Sequence, residues 1–155
     1  MALQRLRAPD KRGSRDPKPR VLYVEDEDPN WEVTEFMLRS QYELARAVNA
    51  RETFARLRAS KFDLILMDIQ LQGSELDGIQ ITQILKGRYP KPVPTYAQAQ
   101  VVDCPILFVT AYEARYQRQE LIDAGGDELI TKPVDRTRLL LALSKLTVRG
   151  IFPAL

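Results

Sequence analysis

The sequence predicts an α/β fold with a doubly wound, five-stranded parallel sheet in the order 2-1-3-4-5. Three apolar runs are short, continuous and rich in branched or aromatic residues, which is typical of parallel strands covered by helices on both faces. Each run stops at a polar residue, and segments with helical periodicity separate the runs. The runs are Val21–Val24, Leu64–Met67 and Ile106–Val109.

The first two helices and the second strand are predicted from their termini. The Asp28-Pro29 pair begins the first helix with proline at its first helical position. One face of this helix is predicted to continue through Val33, Phe36, Met37 and Ser40. The second strand is predicted over 42–48. Asn49, followed three residues later by Glu52, resembles a capping box and begins a second helix that ends near Ala59.

The last three helices are predicted at about 77–86, 112–124 and 135–146. Gly87 and the Gly125-Gly126 pair are well placed to end the third and fourth helices. In the fifth helix, Leu141 lies off the apolar stripe and is predicted to be exposed. The leucines at helical spacing are predicted to lie in the core: Leu139, Leu140, Leu143 and Leu146.

Polar side chains follow the strands at the point where each strand ends. Glu25-Asp26 follows the first strand, Asp68 the third, Thr110 the fourth, and Lys132-Pro133 the last. The carboxyl ends of parallel strands meet at one edge, so three carboxylates should lie together there. They would repel one another, and unpaired burial costs several kcal/mol, so a cation is expected. Oxygen-only ligands favour a hard ion such as Mg²⁺.

Composition excludes several classes of protein. The 155 residues contain no histidine, which removes Ser-His and Cys-His catalysis and every histidine-ligated metal site. A single cysteine, Cys104, excludes disulfide frameworks and cysteine-rich zinc sites. No stretch approaches the roughly 18 apolar residues of a membrane span, and the N-terminus lacks the apolar core of a signal peptide. A cytoplasmic protein is expected.

Charge is concentrated at the N-terminus. Residues 1–20 hold seven Lys or Arg and two Asp, a net charge of +5, whereas the remaining 135 residues hold 16 basic and 19 acidic residues, a net of −3. This segment is rich in Pro and Gly and poor in apolar residues, so 1–19 is predicted to be a flexible basic tail. The tail either has no function or makes an electrostatic contact with nucleic acid, anionic lipid or an acidic partner.

These residues resemble the receiver domains of two-component response regulators, over roughly 20–147, and 148–155 is left as a short C-terminal tail. Val-Leu-Tyr-Val-Glu-Asp is similar to the first strand of the family with its acidic pair. Asp68 is similar to the phospho-accepting aspartate, Thr110-Ala111 to the switch pair, and Lys132-Pro133 to the Lys-Pro pair after the fifth strand. The resemblance implies the flavodoxin-like receiver fold.

The resemblance also implies a role for each residue. Asp68 takes a phosphoryl group from a kinase histidine, which must belong to another protein because this chain has none. Glu25, Asp26 and Asp68 hold Mg²⁺ with the backbone carbonyl of Gln70. Lys132 pairs with Asp68 and then with the phosphoryl group, and the Thr110 hydroxyl donates to it. The Lys132-Pro133 bond is expected to be cis.

The chain departs from the family pattern in three places. The glycine that usually lies eight residues after the nucleophile is Gly78 here, ten after Asp68, so two residues are inserted, and Gln72 stands where the family has proline. Leu129 replaces the aromatic residue that usually swings inward on activation. The 88–103 connection is long and is expected to be either functional or disordered, with a contact to a partner slightly favoured.

Two residues flank the route by which water would attack a phosphoryl group, by resemblance Gln70 and Tyr112. An amide at Gln70 can orient water. The phenol of Tyr112 can block the in-line approach and accepts no proton at neutral pH, because its pKa is about 10. Slow autodephosphorylation is therefore expected.

The function predicted is a phospho-accepting receiver that switches protein contacts and is not a turnover enzyme on an external substrate. Its partners would be a sensor histidine kinase or phosphotransfer protein and a downstream protein, with no membrane, and with nucleic acid only through the basic tail. Three alternatives stay open: a receiver excised from a larger regulator or hybrid kinase, a pseudo-receiver scaffold, and an aspartyl-phosphate hydrolase. The last lacks the second aspartate expected at position 70.

Overall fold

The computed structural model describes residues 17–98, 101–111 and 116–151. Its centre is a five-stranded sheet in the order β2-β1-β3-β4-β5, and every strand pair is parallel. The strands are β1 (Arg20–Val24), β2 (Glu43–Ala47), β3 (Leu64–Met67), β4 (Ile106–Thr110) and β5 (Glu128–Thr131). The helices are α1 (Asp28–Leu38), α2 (Ala50–Ala59), α3 (Gly78–Leu85), α4 (Arg118–Ala124) and α5 (Arg136–Ile151). The predicted sheet order and strand runs are confirmed.

Helices cover both faces of the sheet, which explains why the central strands are apolar without alternation. Along β1, Val21 and Tyr23 point to the layer formed by α1 and α5, while Leu22 and Val24 point to the layer formed by α2, α3 and α4. All four side chains are fully buried. The sheet is therefore a rigid base whose carboxyl edge carries the polar residues.

The predicted face of α1 is wrong. Val33 is 54% exposed and Phe36 is 71% exposed, whereas Thr34 and Leu38 are buried against the sheet. The apolar residues of this helix form two competing stripes, and packing on Tyr23 and its layer selects the one that contains Leu38. The helix also begins at Asp28 instead of Pro29, with Glu27 as the extended capping residue.

The N-termini of α2 and α3 agree with their sequence signals. Asn49 accepts a hydrogen bond from the Glu52 amide at 2.9 Å, and the Glu52 carboxylate accepts from the amide of Val48. At the start of α3, Asp77 and Gln80 form a reciprocal capping box. Each cap satisfies amides that a helix N-terminus leaves without partners.

The ends of the last two helices differ from prediction. In the described part of the chain α4 begins at Arg118, because Gln117 is extended (φ −79°, ψ 144°), and residues 112–115 lie outside the described ranges. It ends as expected, with Gly125 in the left-handed region at φ +113°. The α5 helix continues to Ile151, beyond the predicted end near 146. Leu141 is 60% exposed, as predicted.

The long 88–103 connection is ordered in its described part. It contains a short 3₁₀ turn, Thr95–Ala97, in which Ala97 is buried. Lys86 donates to the carbonyl oxygens of Val102 (3.4 Å) and Cys104 (2.7 Å), which ties the end of the connection to α3. Among the described residues, no helix is both long and apolar enough to cross a bilayer.

Candidate functional site

The carboxyl edge of the sheet gathers the predicted site residues. The strand pairing sets Val24 beside Met67, so Glu25 and Asp68 leave adjacent strands at the same height, and the Asp68 amide donates to the Val24 carbonyl at 3.1 Å. The Lys132 amide donates to the carbonyl of Thr110 at 2.9 Å. Thr110 is fully buried at the end of β4.

Lys132 bridges two of the carboxylates. Its Nζ lies 3.0 Å from Glu25 Oε1 and 3.2 Å from Asp68 Oδ2. Both partners are buried, Asp68 with 5% of its surface exposed and Glu25 with none. The predicted neighbourhood of Lys132 and Asp68 is thus present in the structure, and the Lys132-Pro133 bond is cis, as expected.

Glu25 is the most enclosed of the three carboxylates. Its Oε1 accepts from the Tyr23 hydroxyl at 2.9 Å as well as from Lys132. Its Oε2 accepts from the Glu27 amide at 3.1 Å and the Asn30 side chain at 3.4 Å. Both oxygens are therefore engaged by protein donors.

Asp26 lies nearer the solvent and is held by the loop that follows β3. Its Oδ2 accepts from the main-chain amide of Gln72 at 3.0 Å. One oxygen each from Glu25, Asp26 and Asp68 lie within 4.8 Å of one another. Three carboxylates against one ammonium leave an excess of negative charge that fits a divalent cation.

A cleft of about 290 Å³ opens above these carboxylates. Gln70, Gln72 and Ala111 contribute to its wall together with the acidic residues and Lys132. The site therefore offers oxygen ligands and is open to solvent water. Carboxylate oxygens together with water are the ligands that Mg²⁺ prefers. Cys104 lies in a separate cleft with Arg20 and Glu43, so no thiol joins the site.

The charges shift one another's pKa values. Burial raises the pKa of Asp68 to about 7, the charge of Glu25 adds to the rise, and Lys132 opposes it. Burial alone would raise the pKa of Glu25, but the hydrogen bond and charge of Lys132 hold it below its usual value. For Lys132, the charges of Asp68 and Glu25 outweigh burial and raise the pKa. The ammonium of Lys132 therefore stays charged, and the Asp68 carboxyl ionises less readily than an exposed aspartate.

The remaining predicted residues lie around the site. Leu129 is half-buried in β5 beside Phe108 and packs on the α2–α3–α4 layer. Pro133 is exposed. Tyr112 lies outside the described residues.

Sequence reasoning missed two side chains of the network. From the sequence, Tyr23 is one residue of an apolar strand, although its position two before Glu25 places both side chains on one face of the strand. Asn30 lies in the first turn of α1 and donates to both Glu25 and Glu27. The hydrogen bond from the Gln72 amide to Asp26 could not be predicted from the sequence, because it depends on the path of the loop.

The fold and the acidic cleft at its carboxyl edge are those of a signalling domain, and comparison with known proteins names the family. The response regulator receiver domain model matches residues 21–144, and the chain belongs to this family. It acts in two-component signalling systems.

Relatives include both regulators and kinases. The chain is 29% identical over 126 residues to the transcriptional regulatory protein ZraR of Klebsiella oxytoca, covering 81% of this chain and 25% of ZraR. It is also 29% identical over 132 residues to the sensor protein GacS of Pseudomonas syringae pv. syringae, covering 83% of this chain and 13% of GacS. The chain thus spans a quarter or less of these relatives.

A solved structure of similar size matches along almost its whole length. It is the receiver domain of the sensor histidine kinase PA1611 from Pseudomonas aeruginosa PAO1, with 26% identity and a TM-score of 0.66. The match covers 84% of this chain and 98% of that chain. In that structure a magnesium ion is coordinated in the active site cleft.

Proposed function

We propose that this receiver domain accepts a phosphoryl group on Asp68 from a phosphohistidine of another protein and thereby changes its protein contacts. The observation that carries the proposal is the position of Lys132 Nζ, 3.2 Å from Asp68 Oδ2 and 3.0 Å from Glu25 Oε1, beside an open acidic cleft. The same lysine can hold the carboxylate before transfer and a phosphoryl oxygen after it.

In this step an oxygen of Asp68 attacks phosphorus and the phosphorus–nitrogen bond to imidazole breaks. The electron pair of that bond stays on the imidazole nitrogen, and an acyl phosphate forms. Lys132 and the hydroxyl of Thr110 donate to the phosphoryl oxygens. This chemistry depends on positioning and charge neutralisation more than on covalent help from the protein.

Glu25, Asp26 and Asp68, with the carbonyl of Gln70, would hold Mg²⁺ at the mouth of the cleft. Bound Mg²⁺ supplies positive charge that offsets the carboxylates and the phosphoryl group. Glu25 also anchors Lys132, since its Oε1 accepts a hydrogen bond from the ammonium at 3.0 Å. The PA1611 structure with its bound magnesium supports this assignment.

The partners follow from this chemistry. The donor is a sensor histidine kinase or a histidine phosphotransfer protein, and the receiver acts in the cytoplasm, where such donors present their histidine. The downstream partner is a protein that distinguishes the two states of Asp68. The domain turns over no external substrate, although water slowly removes its own phosphoryl group.

Mass spectrometry after incubation with acetyl phosphate and Mg²⁺ tests the proposal. The wild-type protein should gain the mass of one phosphoryl group, and Asp68→Asn should gain none. Asp123→Asn, which changes an exposed aspartate on α4, should behave as wild type. Uptake by Asp68→Asn to the wild-type extent would show that the nucleophile is wrong, and no uptake by the wild type would favour a pseudo-receiver scaffold. Turnover of small phosphate esters would instead favour the hydrolase.

A further inference from the structure

The loop between β3 and α3, residues 69–77, contains the two-residue insertion and contributes a main-chain hydrogen bond to the acidic site. The amide of Gln72 donates to Asp26 Oδ2 at 3.0 Å. A proline, which the family pattern has at this position, carries no amide hydrogen and could not make this bond. The replacement by Gln72 therefore adds a hydrogen-bond donor to one of the proposed cation ligands.

The same loop is anchored a few residues further along the chain. Ser74 Oγ accepts from the amide of Ala50 at the start of α2 (3.0 Å) and donates to the carbonyl of Leu76 (2.6 Å). The next residue, Glu75, accepts from the hydroxyl of Tyr96 at 3.0 Å. The loop is thus tied at one end to Asp26 and at the other to the 3₁₀ turn of the 88–103 connection.

Tyr96 is itself held on the surface of α2. Its ring lies 5.9 Å from the ring of Phe54 between centroids, and the guanidinium of Arg51 lies 4.4 Å from its centroid. Arg58 donates to the Tyr96 carbonyl at 2.6 Å. The two extra segments of this chain, the insertion and the long connection, therefore meet at one hydrogen bond and pack on one helix.

We propose that the Gln72 amide is a positioning group for Asp26, and that the loop couples cation binding at the site to the Tyr96 contact beside α2. The bond to Oδ2 would fix the rotation of the Asp26 carboxylate and leave Oδ1 for the cation. A carboxylate ordered before binding loses less entropy when it binds. The proposal rests on the proposed function, because the coupled ligand is the cation of that site.

Thermodynamic linkage makes the coupling testable from either end. If cation binding favours the anchored loop, then an intact Tyr96 contact must favour cation binding by the same factor. This predicts an effect on Mg²⁺ affinity from a hydroxyl group that does not line the cleft.

Isothermal titration calorimetry with Mg²⁺ alone tests the positioning role of the Gln72 amide. Gln72→Pro removes the amide hydrogen and should weaken Mg²⁺ binding by about tenfold, the low end of the losses seen when outer hydrogen-bond partners of metal ligands are removed. Gln72→Ala keeps the amide and removes the side chain, which lines the cleft, so its loss of affinity measures the side chain alone and should be several times smaller than that of Gln72→Pro. Wild-type affinity in Gln72→Pro, or equal losses in both variants, would overturn the positioning role.

The coupling to the Tyr96 contact is tested by a matched pair of Tyr→Phe variants in the 88–103 connection. Tyr96→Phe removes the hydroxyl that donates to Glu75 and should weaken Mg²⁺ binding by about fivefold, a modest coupling. Tyr89→Phe makes the same chemical change outside that hydrogen bond and should have no effect. Equal affinity in the two variants would overturn the coupling. If circular dichroism shows that Gln72→Pro does not fold, this pair alone tests the proposal. Absence of Mg²⁺ binding by the wild type would instead overturn the proposed function and this inference together.

Discussion

At the scale of single residues, the site is a cluster of like charges that Lys132 only partly compensates. Asp68 is buried beside Glu25, and burial raises its pKa to about 7 even with the ammonium 3.2 Å away. A buried carboxylate with a raised pKa destabilises the folded state whenever it is ionised. The arrangement therefore favours binding of positive charge at the expense of stability.

Replacing Asp68 by Asn should stabilise the magnesium-free protein at pH 8 by about 1–3 kcal/mol, because the repulsion with Glu25 is relieved. In the unfolded chain an aspartate titrates near pH 4, whereas the folded-state pKa of Asp68 is about 7. Below pH 4 the carboxyl is protonated in both states, so its cost vanishes. The advantage of the variant should therefore grow as the pH rises from about 4 to about 7.

Urea unfolding in the presence of EDTA, followed by Trp31 fluorescence, measures this difference. Asp123→Asn serves as the control and should shift the free energy of unfolding by less than about 0.5 kcal/mol. A destabilised Asp68→Asn would show that attraction to Lys132 exceeds the desolvation and repulsion of the carboxylate.

A second residue-scale prediction concerns the lifetime of the phosphorylated state. Tyr112 should shield the phosphoryl group from water, so Tyr112→Glu and Tyr112→Ala should lose it faster than wild type. Loss of label from Asp68 after removal of the donor measures the rate. Equal decay in all three proteins would show that Tyr112 does not control access of water.

At the scale of elements, the N-terminus of α3 is packed against the backbone of Asp68, the proposed phospho-acceptor. The amide of Gly78 donates to the carbonyl of Ile69 at 2.8 Å, and a Cβ on Gly78 would lie 2.0 Å from the carbonyl oxygen of Asp68. The obstacle is backbone, which no side-chain rotation can relieve. This contact explains why a glycine is needed even though the insertion has moved it along the chain.

Gly78→Ala should therefore destabilise the protein by about 2–3 kcal/mol and slow phosphorylation, because the Asp68 backbone must move. Gly87→Ala, at the other end of the same helix, is the control. Gly87 has φ +71° and open space around it, so alanine there should cost only about 1–2 kcal/mol of backbone strain and leave phosphorylation unchanged. Thermal unfolding and acetyl phosphate labelling of both variants separate the two effects. Normal labelling of Gly78→Ala would contradict the argument.

At the scale of the whole molecule, the strand order decides which chemical groups meet. β1 lies between β2 and β3, and β4 lies between β3 and β5, so residues from four separate strand ends share one edge. The cluster is therefore linked to the folding of the entire sheet. A ligand that binds this edge stabilises the whole domain, because the unfolded chain has no such cluster.

Mg²⁺ should raise the free energy of unfolding by about 1.4 kcal/mol at ten times its dissociation constant. Differential scanning calorimetry at a series of Mg²⁺ concentrations, matched in ionic strength with NaCl, measures the shift. Asp26→Asn removes one proposed ligand and should abolish most of it. A melting temperature that does not respond to Mg²⁺ in the wild type would contradict a cation site at this edge.

Local patterns were sufficient for most of the fold. Apolar runs predicted the strands, and Asn49 and Gly125 predicted helix ends, because each depends on backbone preferences within a few residues. The alternation of strands and helices predicted the sheet order, because few topologies connect such units. The polar residues after four of the strands predicted the site, because parallel strands align their carboxyl ends at one edge. Periodicity alone could not choose the buried face of α1, where Leu38 lies inside and Phe36 outside, since packing partners make that choice.

Contacts between residues distant in sequence were decided only by the tertiary structure. Lys132 and Glu25 are 107 positions apart, and Gln72 and Asp26 are 46 apart. The residue types at the strand ends were enough to predict that Lys132 and the acidic residues would meet, because parallel strands align their ends. Nothing local marks the Gln72 amide or the Tyr96 hydroxyl as partners of the site. Their hydrogen bonds exist because an inserted loop and a long connection fold over the same helix, and the path of a loop depends on what it packs against.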